Sequence, residues 1–192
     1  MRAWLNRLRR RIARVLLYRV VFGERSQGRN LANTRISPAA CIEHEERLTL
    51  GDHVFIGPFN FIEAGAGITL EDGVQISSHV SIVTHSSHRA MRLLRERYVS
   101  WQGDRPGWIA GPVYIGAWSF IGPHSLIEAN TRLGRGTIVC AGSQVRGDFP
   151  DFAVLDGRPA RVVGDSRRED EKLLARHPDL RAHYDAWALP TQ

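Results

Sequence analysis

The chain has 192 residues, 43% of them hydrophobic, which suits one domain with flanking segments and enough apolar mass to bury a core unaided. Its two cysteines, Cys41 and Cys140, exclude a multi-bridge disulfide framework and imply reduced thiols in the cytoplasm. The net charge of +6 is unevenly placed: residues 1–35 hold ten arginines against the single Glu24, so the rest of the chain is mildly acidic.

Near the N-terminus, Trp4, Leu5, Leu8, Ile12, Val15 and Leu16 recur at helical spacing, with Arg7, Arg10, Arg11 and Arg14 between them. Residues 1–35 are therefore read as a basic amphipathic helical segment. The arginines interrupt it too often for a signal peptide, and no apolar run approaches the ~20 residues of a membrane span. Three roles fit: a cap over the open end of a solenoid, a peripheral contact of residues 2–19 with an anionic bilayer, or a nucleic-acid contact. No nucleic-acid recognition motif accompanies the charge, so nucleic acid is not an expected partner.

Residues 36–150 carry an internal repeat of period six. After an irregular start at Ile36, Ile42 and Leu48, it runs through Leu50, Ile56, Ile62 and Ile68, slips by two, and continues through Leu70, Ile76 and Ile82. It returns as Ile115, Ile121, Ile127, Leu133, Val139 and Val145. Glycine follows the aliphatic residue at Gly51, Gly57, Gly116, Gly122 and Gly134, where a tight bend is expected. Four residues after each aliphatic comes a small, amide or valine side chain, from Val54 and Asn60 to Thr137 and Ser143. Helices need a period near 3.6 and meanders alternate at two, so neither fits. Short strands joined by corners do. Three sides close a triangular coil of eighteen residues, and the stacked coils form a parallel β-helix with an aliphatic ladder inside. About five coils are expected.

The repeat breaks after Ile82-Val83-Thr84-His85-Ser86-Ser87-His88 for an excursion over residues 86–112. A long loop in an otherwise regular solenoid is where function is expected. The solenoid is expected to end at Asp148-Phe149-Pro150-Asp151, leaving residues 151–192 as a tail with short helices. Ser166 and Glu169 form a capping-box pair for the first, and Pro178 opens the second, with Tyr184 and Trp187 packing on the body.

The blocks Ile115-Gly116-Ala117-Trp118-Ser119-Phe120-Ile121-Gly122, Ala141-Gly142-Ser143 and Gly157-Arg158-Pro159-Ala160-Arg161-Val162-Val163 resemble the hexapeptide-repeat acyltransferases over about residues 35 to 165. The resemblance implies a left-handed helix, a homotrimer and transfer of acetyl groups from acetyl-CoA, with no metal. Removing the proton of an attacking hydroxyl needs a base, and histidine has the right pKa. In the family the histidine of a Thr-His element at this break is that base, which assigns the role to His85. His88, three residues on, is a candidate to bind substrate or replace it. His79 and His124 fall on outward corners. The partner that orients His85 is not identified by the spacing; Glu96 and Asp104 in the loop are candidates, as is a backbone carbonyl.

For the acceptor, the resemblance points to Asn60, and Trp101 and Trp108 offer flat faces for a sugar ring. For CoA it points to Pro123 and Ala141 beside the pantetheine arm, and to Arg161, Arg158 and Arg146 for the phosphates. The family's Thr-Lys is Arg146-Gly147 here. The expected reaction is direct O-acetylation of a sugar hydroxyl on a polysaccharide precursor or nucleotide-linked sugar. Two other readings on this fold are an N-acetyltransferase acting on an amino sugar and a zinc enzyme resembling the γ-type carbonic anhydrases. The second has enough histidines but not that family's spacing. A non-catalytic scaffold is a third.

Overall fold

The repeat folds as a parallel β-helix of about six turns, seen in a computed structural model that describes residues 2–189. One face stacks Arg35–Ile36, Phe55–Ile56, Gln75–Ile76, Phe120–Ile121, Ile138–Val139 and part of Ala153–Gly157 in parallel register. A second stacks Cys41–Glu43, Phe61–Glu63, Ser81–Val83 and the first halves of Leu126–Leu133 and Gln144–Phe149. The third stacks Leu48–Leu50, Ile68–Leu70, Val113–Ile115 and the second halves of those two long strands. Inside, Ile56, Ile62, Ile76, Ile82, Ile121 and Ile127 are completely buried, in line with the rest of the aliphatic ladder. Each such side chain contributes roughly 1.5–3 kcal/mol of apolar burial.

Coil length departs from the expected eighteen. Ile36 pairs with Ile56 and Ile56 with Ile76, a step of twenty residues, whereas Ile121 pairs with Val139, a step of eighteen. The apparent two-residue slip is a wider corner, Ala64 to Gly67, between the strands Phe61–Glu63 and Ile68–Leu70. In the first coil a 3-10 turn, Glu45–Arg47, fills the same place. The solenoid also runs past Asp151: Ala153–Gly157 adds a sixth rung, and Ala160–Asp165 folds back on it antiparallel.

The other end is covered by a hairpin, not by the helix. Glu24–Ser26 pairs with Arg29–Leu31, Leu31 is buried, and Ser26 Oγ accepts the Leu50 N–H (2.9 Å). The helical segment is shorter than residues 1–35: α1 (Arg2–Ala13) passes into a π-helical turn, Arg14–Tyr18, and neither buries a residue. In the excursion lies α2 (Ala90–Leu94), held by the buried Ala90 and Leu94. Beyond the solenoid are α3 (Arg167–Leu174) and α4 (Arg181–Ala188). Ser166 makes no capping box with Glu169, because its hydroxyl donates to the Gly136 carbonyl (2.8 Å) and ties α3 to the solenoid. Trp187 packs against Phe152 and Trp118.

The repeat glycines serve a purpose other than bending. Gly51, Gly57, Gly116, Gly122 and Gly134 lie outside the left-handed region, but a Cβ on any of them would come within 2.8 Å of the next coil's backbone. The left-handed corner conformation instead falls on bulky residues: His53, Phe59, His79, Trp118, His124 and Phe152 all have φ near +60°. For Gly122 the clash is with the Val139 carbonyl at 2.6 Å and the Ala141 nitrogen at 2.7 Å. Neither can move without opening the ladder. Gly122→Ala is therefore expected to cost about 1–3 kcal/mol, read as a lower urea midpoint at unchanged slope. An unchanged midpoint would refute close approach as the reason for the glycine.

Candidate active site

The site forms where the third coil opens into the excursion. His85–Ser86 pairs antiparallel with Ile109–Ala110, and the Gly111 N–H donates to the Thr84 carbonyl (3.0 Å). This short stem fixes the backbone of His85 while the chain leaves the solenoid. Directly below, one coil earlier, is Glu63, whose register partner is Val83.

Glu63 is the partner that sequence reasoning missed. It is 3% exposed, and its Oε2 receives the His85 Nδ1–H at 2.8 Å. The same oxygen accepts the Thr84 hydroxyl (2.7 Å) and the Thr84 N–H (3.0 Å), while Oε1 accepts the Gly65 N–H (2.7 Å). Thr84, itself wholly buried, accepts the Ala66 N–H on its Oγ1 (2.9 Å). Burial works against the charge on Glu63, but the donors from Thr84, Gly65 and His85 together outweigh it and hold the carboxyl below its ordinary value of 4.5. An ionised Glu63 fixes the proton of His85 on Nδ1 and leaves the lone pair of Nε2 free. Glu96 and Asp104 do not take this place: Glu96 pairs with Arg95, and Asp104 is exposed in the loop with its carbonyl receiving the Trp101 indole N–H.

The His85 ring is 38% exposed and borders a cavity of about 290 Å³ lined by Val83, Ser86, His88, Ile109, Leu126, Glu128, Ala129 and Arg146. Two expected residues, His88 and Arg146, thus come together with His85. His88 is held by Ser86 Oγ at 2.7 Å from its Nδ1. Trp108 stacks flat on His85, ring centroids 4.8 Å apart and 9° from parallel, and the Arg105 guanidinium lies 5.6 Å from the Trp108 ring. Arg105 also lies over Tyr98. One face of Trp108 is therefore taken by the His85 ring. Trp101 lies under Arg97, within the loop.

Asn60 is not in the cavity. It is 2% exposed; its amide donates to the Gly57 (3.0 Å) and Ser77 (2.8 Å) carbonyls and accepts the Val80 N–H (2.7 Å). Its polar capacity is used to clip two coils together at a corner, which corrects its expected place beside an acceptor.

The other CoA candidates gather at the opposite end of the same face. The Pro123 carbonyl accepts the Gly142 N–H (2.8 Å), the Arg158 guanidinium donates to the Gly142 carbonyl, and Ala141 is exposed beside them. From this corner the strands starting at Leu126 and Gln144 lead to Glu128 and Arg146 at the cavity, about one short strand away. Arg161, exposed on the returning strand, donates to its neighbour's carbonyl. His79 and His124 sit on outward corners and stack on each other (4.9 Å, 6°), with Phe59 below. Among the described residues, no group of three histidine, cysteine, aspartate or glutamate side chains converges as a metal site. A second groove, of about 380 Å³ among Thr49, Thr69, Glu71 and Asp72, contains no histidine and none of the expected residues.

No family model matches the chain. It is similar to a probable acetyltransferase of Mycobacterium tuberculosis, 28% identical over 72% of this chain and 44% of that one. It is also similar to the galactoside O-acetyltransferase of Escherichia coli, 27% identical over 72% of this chain and 64% of that one. The chain thus spans less than two thirds of either relative. Among solved structures, a hexapeptide-repeat acetyltransferase of Vibrio cholerae superposes with a TM-score of 0.60 at 27% identity, covering 68% of this chain and 69% of that one. That enzyme has also been solved with acetyl coenzyme A. The period-six ladder, the parallel coils and these relatives agree, and the chain is similar to the hexapeptide-repeat acetyltransferases in both sequence and fold.

Proposed function

We propose that the chain is an acetyl-CoA-dependent O-acetyltransferase acting on a sugar hydroxyl. The observation that carries this reading is the buried, ionised Glu63 holding the Nδ1–H of His85, a residue that lines the same cavity as Arg146. A base of this kind suits a hydroxyl, which must lose its proton as it attacks. The relative named galactoside O-acetyltransferase supports the sugar class, a free saccharide, nucleotide sugar or polysaccharide precursor. The cytoplasm, where acetyl-CoA is made, is the proposed place of reaction, and a homotrimer the proposed assembly.

The reaction is a direct transfer in a ternary complex. His85 Nε2 takes the hydroxyl proton as the sugar oxygen bonds to the thioester carbonyl carbon. The C–S bond then breaks, and the imidazolium returns its proton to the departing CoA thiolate. Glu63 stays ionised and steadies the charge that His85 gains, while the Trp108 face limits the ring to one orientation. The corner of Pro123, Ala141 and Arg158 lies where a pantetheine arm laid along the strand face would begin, with Arg158 and Arg161 near the phosphates. An amine acceptor has less need of a base, which makes the N-acetyl reading second.

Four substitutions at three positions test the assignments by thiol release from acetyl-CoA with a panel of sugars and nucleotide sugars. His85→Ala is expected to lower kcat about 100- to 10,000-fold. Glu63→Gln is expected to lower it about 100-fold at unchanged KM for acetyl-CoA, as for a misplaced catalytic group. Trp108→Ala is expected to lower kcat several-fold, with Trp108→Phe restoring most of it, as for loss and retention of a ring face on the base. Acceptor-dependent release that survives His85→Ala would move the base to His88. No release with any acceptor, with no CoA binding, would sink the reading.

Glu63 also predicts a pH dependence of stability. Its carboxyl is held lower in the folded than in the unfolded chain, so the unfolded state binds more protons in acid. The stabilisation is fully present above the unfolded value and is lost as pH falls through the folded one. The stability gap between wild type and Glu63→Gln is expected to be widest above about pH 5 and to close below about pH 4.5. A gap independent of pH in urea titrations would show that the charge on Glu63 is not what stabilises the site.

A further inference from the structure

We infer that α1 and its π-helical extension form a docking surface for an anionic phospholipid bilayer. The structure removes the competing role, because the hairpin Glu24–Ser26/Arg29–Leu31 already closes the first coil and buries Leu31 there. Residues Arg2–Tyr18 are then left without a task in the solenoid: none is buried, and the apolar side chains that would pack on a body are open. Trp4 is 67% exposed and Leu16 68%, with Leu5, Ile12, Val15 and Leu17 all at half or more. A ring contact of Tyr18 with Phe59, 5.7 Å between centroids, ties the end of the segment to a solenoid corner.

The two faces are chemically opposite. At about 100° per residue, Trp4, Leu5, Leu8 and Ile12 of α1 fall within roughly one third of the circumference, and Arg2, Arg7, Arg9, Arg10 and Arg11 occupy the remainder. From Met1 to Gly23 the sequence has seven arginines and no acidic residue. That charge chooses the occupant. Pairing this face with a second copy of the chain would bring two uncompensated arginine sets together. An anionic headgroup layer neutralises them while the apolar arc enters the acyl boundary, with arginine stems reaching back to the phosphates. No helix among the described residues is long and apolar enough to cross a membrane, so the segment lies in the interface plane. The surface would bring the cavity to membrane-borne acceptors, but its binding does not depend on the chemistry at His85.

The test is co-sedimentation of the full chain with vesicles of phosphatidylcholine alone or mixed with phosphatidylglycerol. Binding is expected to be at least about tenfold tighter to the anionic vesicles and to be released at about 1 M salt, where screening is nearly complete. Leu8→Glu with Ile12→Glu, and separately Arg7, Arg10 and Arg11→Gln, should each weaken it about tenfold or more. Because these residues are exposed, both variants should keep the wild-type thermal transition. Equal binding to both vesicle types, or binding untouched by either variant, overturns the proposal. So does a fall in solution mass of the Leu8/Ile12 variant without lipid, which would assign the face to self-association.

Discussion

Three faces of one solenoid must keep ladder spacing together, and that condition governs the rest of the molecule. Neighbouring strands lie about 4.8 Å apart on every side, so at each corner the backbone of one coil passes against the backbone of the next. The glycines after the ladder aliphatics exist for this contact, as the 2.8 Å or shorter approaches at Gly51, Gly57, Gly116, Gly122 and Gly134 show. Side chains displaced from the corners go outward and pack along the stack. The Trp118 ring lies where a Cβ on Gly73 would sit, and the Phe152 ring does the same over Gly136. Inward, the small positions change from valine in the early coils to serine and threonine in the later ones. Those buried hydroxyls find carbonyls, Ser119 on Gly134, Ser125 on Cys140 and Thr131 on Glu128.

The same stacking makes the candidate site. A carboxylate as buried as Glu63 would be costly alone, and it is tolerated because both of its oxygens are met by donors of fixed position. Those donors belong to two consecutive coils: Gly65 lies beside Glu63, while Thr84 and His85 lie above. Gly65 is needed here for a local reason, since a Cβ there would stand 2.3 Å from Glu63 Oε1. The wider corners of the early coils supply the room. Where the coils shorten to eighteen residues, the corresponding stretch is continuous strand, from Leu126 to Leu133.

The fold was legible because a period of six carries both the inward pattern and the close-approach glycines, and the break after Ile82 marked the candidate site. His85 and His88 could be found from that break, and Arg146 from the family resemblance. Glu63 could not, because an eighteen-residue coil places it beneath Ser81, whereas the actual twenty-residue coil places it beneath Val83 and next to His85. The two-residue slip in the ladder was the available signal, and it acquires meaning only as an enlarged corner. Asn60 and Ser166 misled for a related reason. Each has a side chain that fits a ligand site or a helix cap, but each is claimed by a carbonyl of a neighbouring coil that is distant in sequence. The solenoid's continuation beyond Asp151 escaped because its last rung returns as a hairpin, outside the period.

A solenoid opens in one dimension, each coil gripping only its neighbours. The Glu63–His85 pair sits at the interface of the second and third of about six turns, with the hairpin beyond one end and the strand pair Ala153–Gly157/Ala160–Asp165 closing the other. Fraying from either terminus must therefore unzip whole coils before it reaches the charge pair. The charge pair is thereby kept inside the stack, while the excursion beside it is joined to the solenoid by a stem only two residue pairs long.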